Sequence, residues 1–481
     1  MRKSVRADIS ANQTGASAAA FSPGYRRWLL FVILLLNALN MADRQGLAVI
    51  APAIKRDLML SDTQLGLLIG LGFAIFFALV ALPIARLAEH KSRTKIIAAA
   101  VAVFGIVIAL CGTARVFWQF FLFRIGVGVG DAGFGPPVAS LIADHYPLQK
   151  RASAMAAIWF GAPIGSVVGA IASGWLAQNW GWRWWFFALS VPALVLAFIC
   201  FFTLREPPRG MSDPVTSSAR EPPTISKVLR FLWSKRSFRQ ILIGAGLGAI
   251  AMNGLGSFLA RYLVAMFSMG FAQAGLIVGS LSAVAMTCAL VLGGMGLDRA
   301  AKSDRRWYVW GPAISLLAAT PLLIAGVAQT TVMLSVIVLL FGEIALFVYW
   351  TPTLAMAQNM VGANMRASSA FVVSIVLNLF GAGLGAPLVG SLSDAFAQMS
   401  FGARDFALQC PGGVAPPQAG IAAAHACLNA SAAGVQHAIM AISMLLAWGG
   451  IHYLLAARRL RTDLDTHYRG GSIDAALPTI G

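Results

Sequence analysis

FWQFFLFRIGVGVGDAGFGPPVASLIADHY, residues 117–146, decides what kind of protein this is. Inside it, Gly128 to Gly133 (GVGDAG) has the G-x-G-x-x-G spacing of a dinucleotide-binding turn. That fingerprint needs a strand before the glycines and a helix opening at them. Here the glycines lie deep inside one long apolar run, beside Arg124. In such a run small residues serve close helix packing, as in membrane bundles. The stretch therefore reads as a membrane-spanning helix.

Working outward, similar runs recur along the 481 residues at 27–52, 63–86, 95–113, 116–144, 151–178, 183–204, 238–267, 273–297, 307–327, 330–358, 367–395 and 436–457. Each approaches the ~20 residues that cross ~30 Å of hydrocarbon. They are continuously apolar, which favours helices over alternating barrel strands. The chain is 58% hydrophobic and 11% charged, with mean hydropathy +0.75. A soluble domain carries about 25% charged residues. A chain this apolar could not cover itself in water.

The net charge of +18 would suggest nucleic acid on a soluble protein. Here the Lys and Arg fall in short loops, and aromatic residues stay inside the apolar runs, so no nucleic-acid partner is expected. With the N-terminus placed in the cytoplasm, 28 of the 36 basic residues occupy cytoplasmic segments. Outer loops hold Lys55, Arg56, Arg115, Arg183 and Arg404, and spans hold Arg44, Arg124 and Arg261. This positive-inside bias predicts a multi-pass inner-membrane protein with both termini cytoplasmic. The start, polar to Gly24, lacks the features of a cleaved signal peptide.

The expected organisation is a tail (1–25), six helices (26–204), a linker (205–237), six more helices (238–457) and a tail (458–481). The linker carries Pro207, Pro208, Pro222 and Pro223 and an amphipathic piece, Ile225 to Trp233, suited to the membrane surface. An Ala/Gly/Pro-rich outer loop is expected at 396–435. It holds Cys410 and Cys427, and a disulfide is possible there if the loop is outside. Cys111, Cys200 and Cys288 lie in apolar runs and read as packing residues.

The halves repeat. At an offset of 215 residues, Pro137 matches Pro352, Arg151 matches Arg366, Ala152 matches Ala367 and Ser153 matches Ser368. The glycine row 161, 165, 169 of the fifth span is echoed by 381, 385, 390 of the eleventh. Parallel repeats of this kind mark transporters whose substrate site lies mid-membrane between the halves.

Charges inside spans are the sharp functional signal, because one at the bilayer centre costs at least ~2.5–3.5 kcal/mol. Counting ~1.5 Å per residue, Asp43 and Arg124 reach the same level and can pair. Asp131 lies two turns deeper than Arg124, and Glu343 sits near mid-span in the tenth helix. A carboxylate in an apolar cavity resists ionisation, and an adjacent arginine restores it. A carboxylate that gains and loses an arginine would therefore bind and release a proton. Asp43, Arg124, Asp131 and Glu343 are the coupling or substrate candidates. Arg44, Asn40, Tyr349, Trp350 and Arg261 are secondary cavity candidates, and Arg44 and Arg261 could instead snorkel. The six histidines are scattered. There is no H-E-x-x-H, P-loop or serine elbow. No enzyme activity, cofactor or metal is expected, nor ATP-driven transport by this chain alone.

These residues resemble the major facilitator superfamily, and within it the Spinster-like group. The carrying stretches are NALNMADRQGLAVIAPAIKRDL (37–58), the 123–147 run, GAPIGSVVGAIASGW (161–175), FGEIALFVYW (341–350) and RASSAFVVSIVLNLFGAGLGAPLVGSLSD (366–394). The resemblance implies an all-α membrane fold of twelve transmembrane helices in two pseudo-symmetric six-helix bundles that rock to give alternating access. It implies that Asp43 and Arg124 belong to a coupling network, with Asp131 where the group usually has Glu, and Glu343 at its acidic position. The superfamily's gating loop, G-x-L-A-D-R-x-G-R-R, stands here as ARLAEHKSRT (85–94), so Glu89 and Arg93 are gating candidates. Its second copy supplies Asp298 and Arg299.

The function expected is proton-coupled secondary transport of an amphiphilic or anionic organic molecule, lysophospholipid- or sphingolipid-like. Partners are that substrate, protons and membrane lipids, and the working unit is a monomer. The alternatives are a proton symporter for organic acids such as sugar or aromatic acids, and a non-transporting lipid scramblase or receptor.

Overall fold

The computed structural model describes residues 21–71, 79–80, 83–84, 87, 91–146, 148–208, 225–361, 365–402, 406–416, 419–460 and 462–463. Among these residues there is no strand, and ten helices are long and apolar enough to cross a membrane. In the first half they are α1 (Pro23–Asp57), α3 (Arg93–Thr113), α5 (Leu148–Trp159 and Gly161–Asn179) and α6 (Arg183–Thr203). In the second half they are α7 (Arg236–Phe267), α8 (Phe271–Leu290, continuing to Ala301), α9 (Trp307–Val327), α10 (Val332–Val348 and Trp350–Asn359), α11 (Arg366–Phe401) and α12 (Ile421–Ala457). The other two expected spans are α2, described from Asp62 through a π turn to Leu71, and α4, whose segments Phe117–Ala132 and Gly135–His145 meet at Gly133. A separate helix, Ile225–Ser234, lies in the linker.

Local chemistry sets the helix starts. Ser22 accepts from the Tyr25 amide ahead of Pro23, and Ser92 accepts from Lys95. Ser61 and Gln64 form a reciprocal capping box that opens α2. Gly402, at φ +72°, ends α11 in the left-handed conformation that a side chain rarely adopts.

The expected loop at 396–435 is corrected: α11 runs on to Phe401 and α12 already begins at Ile421. Alanine is the strongest helix former, and IAAAHACLNASAAG (421–434) is rich in it. Cys410, in the turn between the two helices, forms a disulfide with Cys427 of α12, their Cα atoms 5.6 Å apart.

The internal repeat has a structural counterpart. Gly161, Gly165 and Gly169 of α5 press directly on the α1 backbone at Leu34, Ala38 and Ala42. Gly381 and Gly385 of α11 press in the same way on Ala249, Ile250 and Gly254 of α7. The two halves meet along α2–α11, where Gly66 faces Ala386, and along α5–α8, where Gly174 faces Phe271 and Gly275 faces Ala170. These contacts lie toward the face that carries the disulfide. One hydrophobic core is built from buried residues of the first half with Phe271 of the second packed against it, while the other fills the second half and reaches Val49, Leu65 and Ala170 of the first.

Candidate functional site

On α1, Asp43 and Arg44 are neighbours, and Asn40 stands one turn before Arg44. On α4, Arg124 and Asp131 are two turns apart and share a face. The helices run in opposite directions, so the pairs match in order. Arg124 Nη1 donates to both Asp43 oxygens, at 3.1 and 2.9 Å. Arg44 Nη2 donates to Asp131 Oδ2 at 2.7 Å, and the Asn40 amide donates to Asp131 Oδ1. Four charges thus cancel in two adjacent pairs, which is how ionised groups survive away from water.

The two pairs differ in access. Asp43 and Arg124 are each 2% exposed, whereas Arg44 is 31% and Asp131 7% exposed. A cleft reaches the second pair, lined by Leu36, Leu39 and Asn40 of α1, Val101 and Phe104 of α3, and Asp131 and Phe134 at α4. Arg44, which could have snorkelled, is instead partly exposed and paired with Asp131, the carboxylate that lines the cleft. Asn40 belongs there as well.

Glu343 of α10 stands apart from this array. It is 3% exposed, one carboxyl oxygen finds no partner among the described residues, and Ser282 of α8 faces it. Tyr349 is fully buried against Gly248 of α7, its hydroxyl likewise without a partner among the described residues, and Trp350 meets its ring edge-on at 6.2 Å.

The gating candidates divide. Glu89 lies outside the described residues. Arg93, 1% exposed, ties the ends of three helices of the first half: its Nε reaches Glu206 at 2.7 Å, and its Nη1 reaches Asp144 and the Ser140 hydroxyl. Its Nη2 donates to the Pro207 carbonyl at 3.1 Å. Burial, the largest single influence on Glu206, pushes its carboxyl up, but the Thr94 amide, Arg93 and Ser92 together hold it below the usual glutamate range. Asp298 and Arg299 are exposed, and Asp298 accepts from the Tyr308 hydroxyl of its own half at 2.9 Å.

Arg261, the secondary cavity candidate that could instead have snorkelled, is 6% exposed and donates to Asp62 Oδ2 at 2.7 Å across the seam between the halves. Sequence reading missed Lys55, Asp62, Ser393 and Asp394, which gather around it. The readable signal was the capping box at Ser61–Gln64, which turns Asp62 into the first residue of a helix.

The sequence profile of the Major Facilitator Superfamily matches residues 33–386. An MFS-type efflux pump of Mycolicibacterium smegmatis is 28% identical over 366 residues, covering 76% of this chain and 83% of that protein. A probable sphingolipid transporter of Arabidopsis thaliana, spinster homolog 1, is 25% identical over 386 residues, covering 74% and 77%. Among solved structures, a bacterial homologue of the human lysosomal transporter Spinster, in an inward-facing and unoccupied conformation, superposes with a TM-score of 0.83. It is 29% identical, over 92% of this chain and 99% of that one.

Proposed function

The chain belongs to the Major Facilitator Superfamily, and from that premise we propose that it is a proton-coupled secondary transporter working by alternating access. It is a multi-pass membrane transporter related to the Spinster proteins. The cargo on this reading is an amphiphilic organic molecule with an anionic head, the class that the sphingolipid-transporting relative suggests.

Proton coupling rests on one observation, the unequal exposure of the two charge pairs on α1 and α4. Asp43–Arg124 is sealed and acts as the clamp between the helices. In the Arg44–Asp131 pair the carboxylate lines the cleft and the arginine is 31% exposed, so water reaches it and the pair can part. A carboxylate that loses and regains an arginine releases and binds a proton as it does so. Glu343 is the matching acidic group in the other half.

The chain ends face the cytoplasm of the inner membrane on this reading, with the monomer as the working unit. The basic loops support that orientation, and a disulfide on the opposite face suits an oxidising compartment.

The test is flux in liposomes loaded against a pH gradient, with lysophospholipid and organic-acid cargo compared. Concentrative, gradient-dependent uptake is expected, and Asp131→Asn should abolish it while leaving cargo exchange at equal concentrations. Downhill lipid mixing that ignores the gradient, or binding without flux, would overturn the reading.

A further inference from the structure

At the disulfide face a second charge cluster joins the halves. Asp62, 1% exposed, begins α2. Its Oδ1 accepts from Lys55 Nζ at 2.8 Å, within the first half. Its Oδ2 accepts from Arg261 Nη2 at 2.7 Å and from the Ser393 hydroxyl at 2.9 Å, both in the second half. A carboxylate also reaches the other way. Asp394 of α11 accepts from the Asp62 and Thr63 amides at 2.9 and 2.7 Å and from the Thr63 hydroxyl at 2.6 Å. It thereby caps α2, where an anion meets the positive end of the helix dipole.

The cluster also has a cover. Gly413, at φ +82°, lies so near that a Cβ there would sit 3.2 Å from Lys55 Nζ and 2.8 Å from the Ser431 hydroxyl. Ser431 in turn accepts from Arg261 at 3.0 Å. The turn bearing Gly413 is pinned to α12 through Cys410–Cys427. Arg56, next to Lys55, lies 5.9 Å from the Phe271 ring of α8, and Gln178 of α5 accepts from the Ala272 amide at 3.0 Å, so further ties cross at the same level.

We propose that Asp62 is the positioning residue that holds this face shut in the transport cycle, with the disulfide-pinned turn as its cover; this rests on the alternating-access reading. The charges divide evenly when the halves part. Lys55 leaves with Asp62, and Arg261 stays with Asp394, so each half departs with one cation and one carboxylate. The lock therefore opens without stranding a net charge on either side, and it can close again. Loss of Asp62's charge removes the ionic bond to Arg261 across the seam and leaves Lys55 and Arg261 without the carboxylate they share, while the Asp394 bonds to the start of α2 remain.

The experiment measures distance across the face, independently of flux. Spin labels are placed at Trp180→Cys and Met399→Cys, exposed positions in opposite halves, in a chain whose free cysteines 111, 200 and 288 are alanine. Asp62→Asn should raise the ratio of long to short distances at least about tenfold, the weight of one charge-assisted hydrogen bond. Asp394→Asn should shift it in the same direction, and the joint change Cys410→Ala and Cys427→Ala should do so to a smaller degree. Should Asp62→Asn not fold, Asp394→Asn decides. Distances unchanged from the parent in the folded Asp62 and Asp394 variants overturn the proposal. A parent that moves no cargo but keeps these shifts would sink the transport reading instead.

Discussion

Among the described residues, the two ends of this molecule spend their charges differently. At the disulfide face, Asp62 and Asp394 reach across the seam and bind one half to the other. At the opposite face, Arg93 gathers Asp144 of its own half and Glu206 and Pro207 just past the end of α6. Asp298 turns to Tyr308, also of its own half. The first arrangement governs how the halves sit against each other, and the second governs whether one half holds its shape. Similar residue types thus make a joint that ties one half to the other in one place and a knot that ties a half to itself in the other.

Three changes test that division. Arg93→Leu removes the guanidinium from two carboxylates and should have the largest effect, a loss of about 3–5 kcal/mol in the stability of the first half. A large drop in thermal midpoint in detergent would register it, while an unchanged midpoint would mean the knot is ornamental. Gly66→Val places a side chain where Ala386 and Pro387 leave no room. It should cost the closed disulfide face about 1–3 kcal/mol, the usual penalty of overpacking. The spin-label pair at 180 and 399 should then report longer distances with little change in midpoint. An equal fall in midpoint would blur the joint into the knot.

Glu206→Gln should give the smallest effect, because the carboxylate is 31% exposed and solvent screens its pairing. The Glu206 carboxyl is held below its ordinary range. Its contribution to stability is therefore complete above the unfolded glutamate value and is lost as pH falls through the lower folded one. The parent should lose midpoint on acidification through that window, and the glutamine variant should lose less. Equal acid sensitivity in both would remove Glu206 from the knot.

Much of this was legible in the sequence. Depth counting along the apolar runs was enough to pair Asp43 with Arg124, since a helix advances a fixed rise per residue. The glycine rows signalled that another helix packs closely on each; the structure supplies the partners, α1 against α5 and α7 against Gly381 and Gly385 of α11. What escaped was direction around the helix axis between non-neighbouring elements. Arg44 and Arg261 looked free to reach the interface because their stems are long. Their partners, Asp131 and Asp62, become visible only when α1 is set beside α4 and α7 beside α2. The 396–435 stretch failed for another reason. Its alanines form helix readily but are too weakly apolar to mark a span, so helix and membrane boundaries diverged there.

That divergence bears on how the protein can be handled. At 37 residues, α12 is about 55 Å long, against hydrocarbon only ~30 Å thick. The helix is thus about 25 Å longer than a straight crossing needs, and its first turns carry exposed Ile421 and Leu428 with Cys427 fastened alongside. Such a mast gives antibody fragments a foothold on the second half. A particle with little mass outside its detergent belt would gain from it a landmark for image alignment.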